Sequence, residues 1–153
     1  MQLPERVYYF LERQGFVIVS TFDKKGRIHC SAKGIVGIER QGKVFVIDLY
    51  MHNTFNNLKK DPRVSITAID EDQFAGYTLQ GKAKIVARED IQDHIISKWE
   101  DRILSRISSR VAKGVKTGAK SKSHFEAQLP KHPKYLIEVD VENIIDLSPP
   151  NQK

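Results

Sequence analysis

Apolar and polar positions alternate in short blocks along most of this 153-residue chain, with the two-residue period of strands. Phe16 to Phe22 (FVIVSTF) is rich in β-branched and aromatic residues and predicts a first strand. Asp23-Lys24-Lys25-Gly26 is a turn whose glycine accepts positive φ, so the chain returns antiparallel over Ile28 to Ile38. Gly34 and Gly37 lie inside that second strand, where glycine marks a bulge or a close backbone approach. Gln41–Gly42 turns the chain into a third strand, Val44 to Leu49. A short amphipathic segment, Thr54 to Lys60, follows, and Asp61–Pro62 restarts the chain as a fourth strand, Arg63 to Ile69. There Val64, Ile66 and Ala68 alternate with Arg63, Ser65 and Thr67, the pattern of a half-buried strand. Beyond the polar turn Asp70-Glu71-Asp72, Phe74 to Ala87 holds a fifth strand bent at Gly81, and Lys134 to Val141 closes the set.

Two stretches carry the helical period instead. Pro4 sits near the first turn of an opening helix with Val7, Tyr8, Phe10 and Leu11 along it, and Gln14–Gly15 ends it. From Glu89 to about Val111, Ile91, Ile95, Ile96, Trp99, Ile103, Leu104 and Ile107 recur at spacings of three and four, the stripe of a long amphipathic helix. Lys113 to Ser123 (KGVKTGAKSKS) reads as a mobile loop, and Ser148-Pro149-Pro150 ends the ordered chain. Six antiparallel strands joined by tight turns favour a small barrel, because closure removes exposed strand edges. An open sheet packed by two helices is the arrangement that the pattern leaves open. Either way the fold class is mainly β with flanking helices, in one domain over 1–147, with a helical and basic insert at about 88–133 and a tail at 148–153.

Composition narrows the function classes. No apolar run approaches the ~20 residues of a membrane helix, and the opening residues MQLPERVYYFLERQ have no apolar signal core, so cytoplasmic residence is the expectation. The one cysteine, Cys30, excludes an internal disulfide framework and reads as a small buried strand residue. The histidines show no ligand spacing, so no metal site is expected. The net charge of +6 is concentrated: seven Lys and Arg and no carboxylate lie between Arg102 and Phe125, and the rest of the chain is close to neutral. Arg102, Arg106 and Arg110 form one stripe at i, i+4 and i+8, either a solvated helix face, a cover over an anionic substrate or a nucleic-acid contact. No aromatic residue between Arg102 and Ser123 is placed to stack on a base, which argues against nucleic acid.

The stretch from Lys43 to Ile66, KVFVIDLYMHNTFNNLKKDPRVSI, carries the most specific signal. Its order of strand, short helix, Asn-Leu-x-x-Asp-Pro-x-Val-Ser and strand resembles the FMN-binding split barrels of the pyridoxamine 5'-phosphate oxidase-like superfamily. The resemblance covers roughly Phe16 to Val86 and, more loosely, Lys134 to Leu147. It implies a six-stranded antiparallel split barrel, an FMN cofactor, an oxidoreductase activity on a small molecule, and a homodimer with the flavin site between two subunits. Strands as apolar as Phe16–Phe22 and Val44–Leu49 also need cover on more than one side. Similar barrels host the deazaflavin F420 or haem, and a flavin-free binding module is a further alternative. A basic barrel associating with nucleic acid through 102–122 is the third.

The resemblance also implies where the cofactor lies. Its phosphate falls at Asn53 and Thr54, whose helix-opening amides and hydroxyl suit an anion; local chemistry alone would make Asn53 a helix cap. The best-known oxidases carry an Arg-Lys pair at these two positions, and both cations are missing here. Lys33 lies near another phosphate-binding cation of the family. The isoalloxazine ring falls along Cys30, Ser31, Ala32 and Lys33 and beside Asp48 and Leu49, and Tyr77 is placed to cover it. Asp48 departs from the family, which often has threonine or serine there. Its carboxylate either faces solvent, bonds a ribityl hydroxyl or pairs with a cation of the partner subunit.

Overall fold

A computed structural model describes residues 1–117 and 133–150. The six strands form at the places the alternation marks: β1 (Phe16–Phe22), β2 (Ile28–Glu39), β3 (Lys43–Asp48), β4 (Arg63–Asp70), β5 (Ala75–Ala87) and β6 (Tyr135–Asp146). They close into a barrel in the order β1-β2-β3-β6-β5-β4, with every neighbouring pair antiparallel. Closure is made by β1 against β4, where Ile18 faces Thr67 and Val19 faces Ile66. The open-sheet alternative is thereby excluded.

Alternation decides what fills the barrel. Val17, Val19, Val44, Val46, Val64, Ile66, Leu79, Ile137 and Val139 point inward and are almost fully buried. Parity breaks in β2, where a register shift between Ile35 and Gly37 lets both Ile35 and Ile38 join the interior while Val36 faces outward. β5 bends at the expected place: its pairing with β6 shifts between Gln80 and Gly81. A Cβ on Gly81 would stand 2.0 Å from the carbonyl oxygen of Asp140, so the crossing of β5 and β6 requires glycine. Gly26, at φ +73°, makes the first hairpin turn.

Three α-helices cover what the strands leave open. α1 (Glu5–Glu12) sets Val7, Phe10 and Leu11 onto one end of the barrel. α2 (Asn53–Lys60) closes the other end with Thr54, Asn57 and Leu58. α3 (Asp93–Thr117) lies outside, where Ile91, Ile95 and Trp99 pack on Val36, Phe45, Ile47 and Leu136. The long-helix expectation needs two corrections. Arg88–Asp90 is a separate 3₁₀ turn, and α3 itself runs on to Thr117. The glycine-rich loop therefore does not begin at Lys113, and its remainder beyond Thr117 lies outside the described residues.

Candidate functional site

Between α2 and the barrel end beneath it lies a packed layer of polar side chains, the polar chamber of this site. Its 3.6-residue period places Thr54, Asn57 and Leu58 on one face. The two polar members find strand partners: Thr54 Oγ1 lies 2.9 Å from Ser31 Oγ, and Asn57 Nδ2 donates to Thr21 Oγ1 at 3.0 Å. Phe55 meets Tyr135 edge-on at 4.9 Å between centroids. Thr21, Ser31 and Lys33 share the inward parity of Val17 and Val19, as cross-strand or same-face neighbours.

Asp48, the last residue of β3, is 2% exposed at the same end. Its Oδ2 pairs with Lys33 Nζ at 2.8 Å and accepts the Tyr135 hydroxyl at 2.5 Å, while Oδ1 accepts the Tyr50 backbone N–H at 3.1 Å. The solvent-facing option for Asp48 is corrected by this burial, and its cation comes from its own chain. Burial, and then the bond to Asp48, raise the Tyr135 pKa far above the ordinary tyrosine value. The phenol is therefore a fixed donor. Lys33 and Asp48 neutralise one another, so the chamber carries no net charge from the pair.

The strand Cys30–Lys33 is split by its pleat. Ser31 and Lys33 face the chamber, whereas Cys30 and Ala32 are exposed on the outer surface. The expectation of a buried Cys30 fails because the neighbouring outward positions are also left open; its Sγ sits 3.4 Å from Ser20 Oγ. Asn53 is exposed and opens α2 as its first helical residue; His52 holds the N-cap position, with no side-chain cap bond. Asn53 is thus not the cap. His52 stacks on the exposed Tyr50 at 6.1 Å. Two proposed ring contacts lie elsewhere. Leu49 packs with the α3 cluster, and Tyr77 is 7% exposed and edge-on to Phe10 of α1. Thr21, Asn57 and Tyr135 were missed. The helical period marks Asn57 as a companion of Thr54, but nothing local marks Tyr135, which meets Asp48 through pairing of β3 with β6.

Outside the chamber, the strand pairing builds a neutral face. One row runs Cys30, Ser20, Ser65, Gln80, Asn143 and the next Ala32, Ile18, Thr67, Thr78, Ile145. No charged residue occurs in either row. Thr67 and Thr78 share a hydrogen bond of 2.8 Å, and Asn143 donates to Gln80 at 2.9 Å. Phe16 and Ile69, 52% and 67% exposed, extend the apolar side of this face. At its other margin a groove of about 420 Å³ opens between Ser20, Ser65 and Gln80 and the side chains of Phe22, Ile28 and Arg63.

The basic stripe is accounted for in part. Arg102 donates to the carbonyl oxygens of Gln14 and Glu12, tying α3 to the end of α1, and burial lowers its pKa. It is a structural tie, and the side chains of Arg106 and Arg110 lie outside the described residues. No described helix is long and apolar enough to cross a membrane.

A flavin fits this arrangement in its hydrogen-bonding groups: the exposed Asn53, the half-buried Ser31 and the first-turn amides of α2 offer neutral donors and acceptors beside an open strand, while Thr54 is 2% exposed and bonded to Ser31. Its phosphate finds no unpaired cation among the described chamber residues, because Lys33 is held by Asp48.

No curated protein matches the chain. Among solved structures, HupZ of Group A Streptococcus superposes with a TM-score of 0.64 at 16% identity, covering 95% of this chain and 94% of that one. An F420 reductase gives 0.59 at 15% identity, covering 94% and 98%. HutZ, described as the haem storage protein of Vibrio cholerae, gives 0.54 at 20% identity, covering 95% and 94%. At these identities the likeness concerns the fold. The family model for pyridoxamine 5'-phosphate oxidase matches residues 3–147, nearly the whole chain, and with the closed six-stranded barrel it establishes that this protein belongs to the pyridoxamine 5'-phosphate oxidase-like split-barrel family.

Proposed function

We propose that the chain is a homodimeric flavin-binding protein that oxidises or reduces a small molecule in the cytoplasm. The observation that carries this reading is the neutral face of β2, β1, β4, β5 and β6 lying directly outside the hydroxyl-lined chamber. An uncharged face with exposed Ile18, Phe16 and Ile69 suits a second copy of the chain, since monomer surfaces rarely keep such patches uncovered. A flavin would lie along β2 at the margin of that face. The small Cys30 and Ala32 side chains leave the outer face of the strand open to a flat ring, and the exposed Asn53 and the first-turn amides of α2 would hold the polar chain. The bound flavin supplies the electron transfer, while the protein positions it and, on dimerisation, excludes water.

Purification with added FMN and a visible spectrum test this. Flavin absorbance that remains with the protein after gel filtration is expected; a colourless product whose melting temperature is unmoved by FMN rejects the reading. A second reading, a haem, F420 or flavin-free module on the same scaffold, is favoured by the neutralisation of Lys33 by Asp48. A Soret band, a deazaflavin spectrum or no chromophore in protein taken from its own source would select it.

A further inference from the structure

We infer that Asp48 sets the charge of the ligand: by holding Lys33 inside the chamber it withdraws the cation that a phosphate would need, so the site discriminates little between FMN and its neutral parent, riboflavin. The inference rests on the flavin reading above. Three donors hold Asp48 beside the lysine, Lys33 Nζ at 2.8 Å and the Tyr135 hydroxyl on Oδ2 and the Tyr50 amide on Oδ1. The pair is largely removed from solvent, with side chains 14% and 2% exposed, where an ion pair is weakly screened.

Of the other cations near α2, two have partners of their own, and the exposed Lys60 stands in the last turn, at the opposite end of the helix from Asn53. Lys59 lies over the Phe55 ring at 5.4 Å in the last turn of the helix. Arg63 is bound to Asp61 and stacked on Phe22 at 4.6 Å. What the first turn of α2 presents is neutral: the exposed Asn53 amide and the helix amides, the last worth about half a positive charge, beside a half-buried Ser31 whose hydroxyl is bonded to the buried Thr54. Half a charge does not balance a phosphate of nearly two negative charges.

The test compares FMN with riboflavin by fluorescence quenching on the full chain, on Asp48→Asn and on the double variant Lys33→Met, Asp48→Asn. Asparagine keeps oxygen and shape beside Tyr135 and removes only the charge that holds Lys33. In the wild type the two dissociation constants should agree within about threefold. Asp48→Asn should raise the preference for FMN over riboflavin by about tenfold or more, the scale of one released charged hydrogen bond. The double variant should return the preference to the wild-type value. Thermal melts confirm folding, and if Asp48→Asn does not fold, the wild-type and double-variant ratios decide. A wild type that already prefers FMN by about tenfold, or an unchanged preference in Asp48→Asn, overturns the inference. If neither flavin binds any folded variant, the flavin reading itself fails, a distinct outcome.

Discussion

Tyr135 and Asp48 form the chamber's most consequential contact between single residues. The phenol is buried and donates to a carboxylate, so both effects keep it protonated. Because its folded pKa is raised, the stability it contributes is fully present below the ordinary tyrosine value of about 10 and declines as the pH rises beyond it. Tyr135→Phe should cost about 1.5–3 kcal/mol at neutral pH, the worth of a hydrogen bond to a charged group. Urea titrations across the alkaline range should then show that gap shrinking, since the phenylalanine variant has no phenol to ionise; a constant gap would contradict it. Of these two residues only Asp48 stood out in the sequence, as a carboxylate where its relatives have hydroxyls. Tyr135 did not, because a strand tyrosine carries no mark of its cross-strand partner.

At the scale of elements, the barrel depends on one backbone crossing and one outer helix. Gly81 brings β5 against β6, and a methyl there meets backbone that cannot rotate aside. Gly81→Ala should therefore lose about 3 kcal/mol, at the upper end for an overpacked site, seen as an earlier urea midpoint. α3 packs through Trp99 and Ile95, with Ile91 just ahead of it, on the outer face of β2, β3 and β6. Trp99→Ala should cost about 3–5 kcal/mol, with circular dichroism losing helix before the strand signal falls. Simultaneous loss of both signals at the wild-type midpoint would show that α3 does not depend on Trp99. The strand positions and the Gly81 bend were legible because alternation and glycine act locally, although β6 runs to Asp146, past the expected end at Val141, where Glu142 and Asn143 break the apolar pattern. The break before α3 was not: Ile91 keeps the helical spacing, although it belongs to the turn that precedes the helix.

For the whole molecule, the neutral outer face is the feature that reaches beyond the single chain. If a second copy covers it, a charge at its centre must be buried without a partner on both sides of the interface. Ile18→Lys should then convert a dimer into a monomer in light scattering at micromolar concentration while the melting curve of the barrel stays cooperative. A wild type that is already monomeric, or a lysine variant that remains dimeric through this face, would remove both the dimer and the shared cofactor site.

The sequence alone determined the element order, the bend at Gly81 and the family, since each is written in neighbouring residues: alternation, turn glycines and the Asn-Leu-x-x-Asp-Pro-x-Val-Ser spacing. It also brought Ser31, Lys33, Asp48 and Thr54 into one list of candidates. Only the tertiary structure decided what those side chains do. The register of β2 against β3 and of β3 against β6 sets Lys33 and Tyr135 on one carboxylate, and α2 folds Thr54 onto Ser31. Such contacts join residues far apart in the chain, and a lysine's charge is free or spent according to a partner that local sequence does not name.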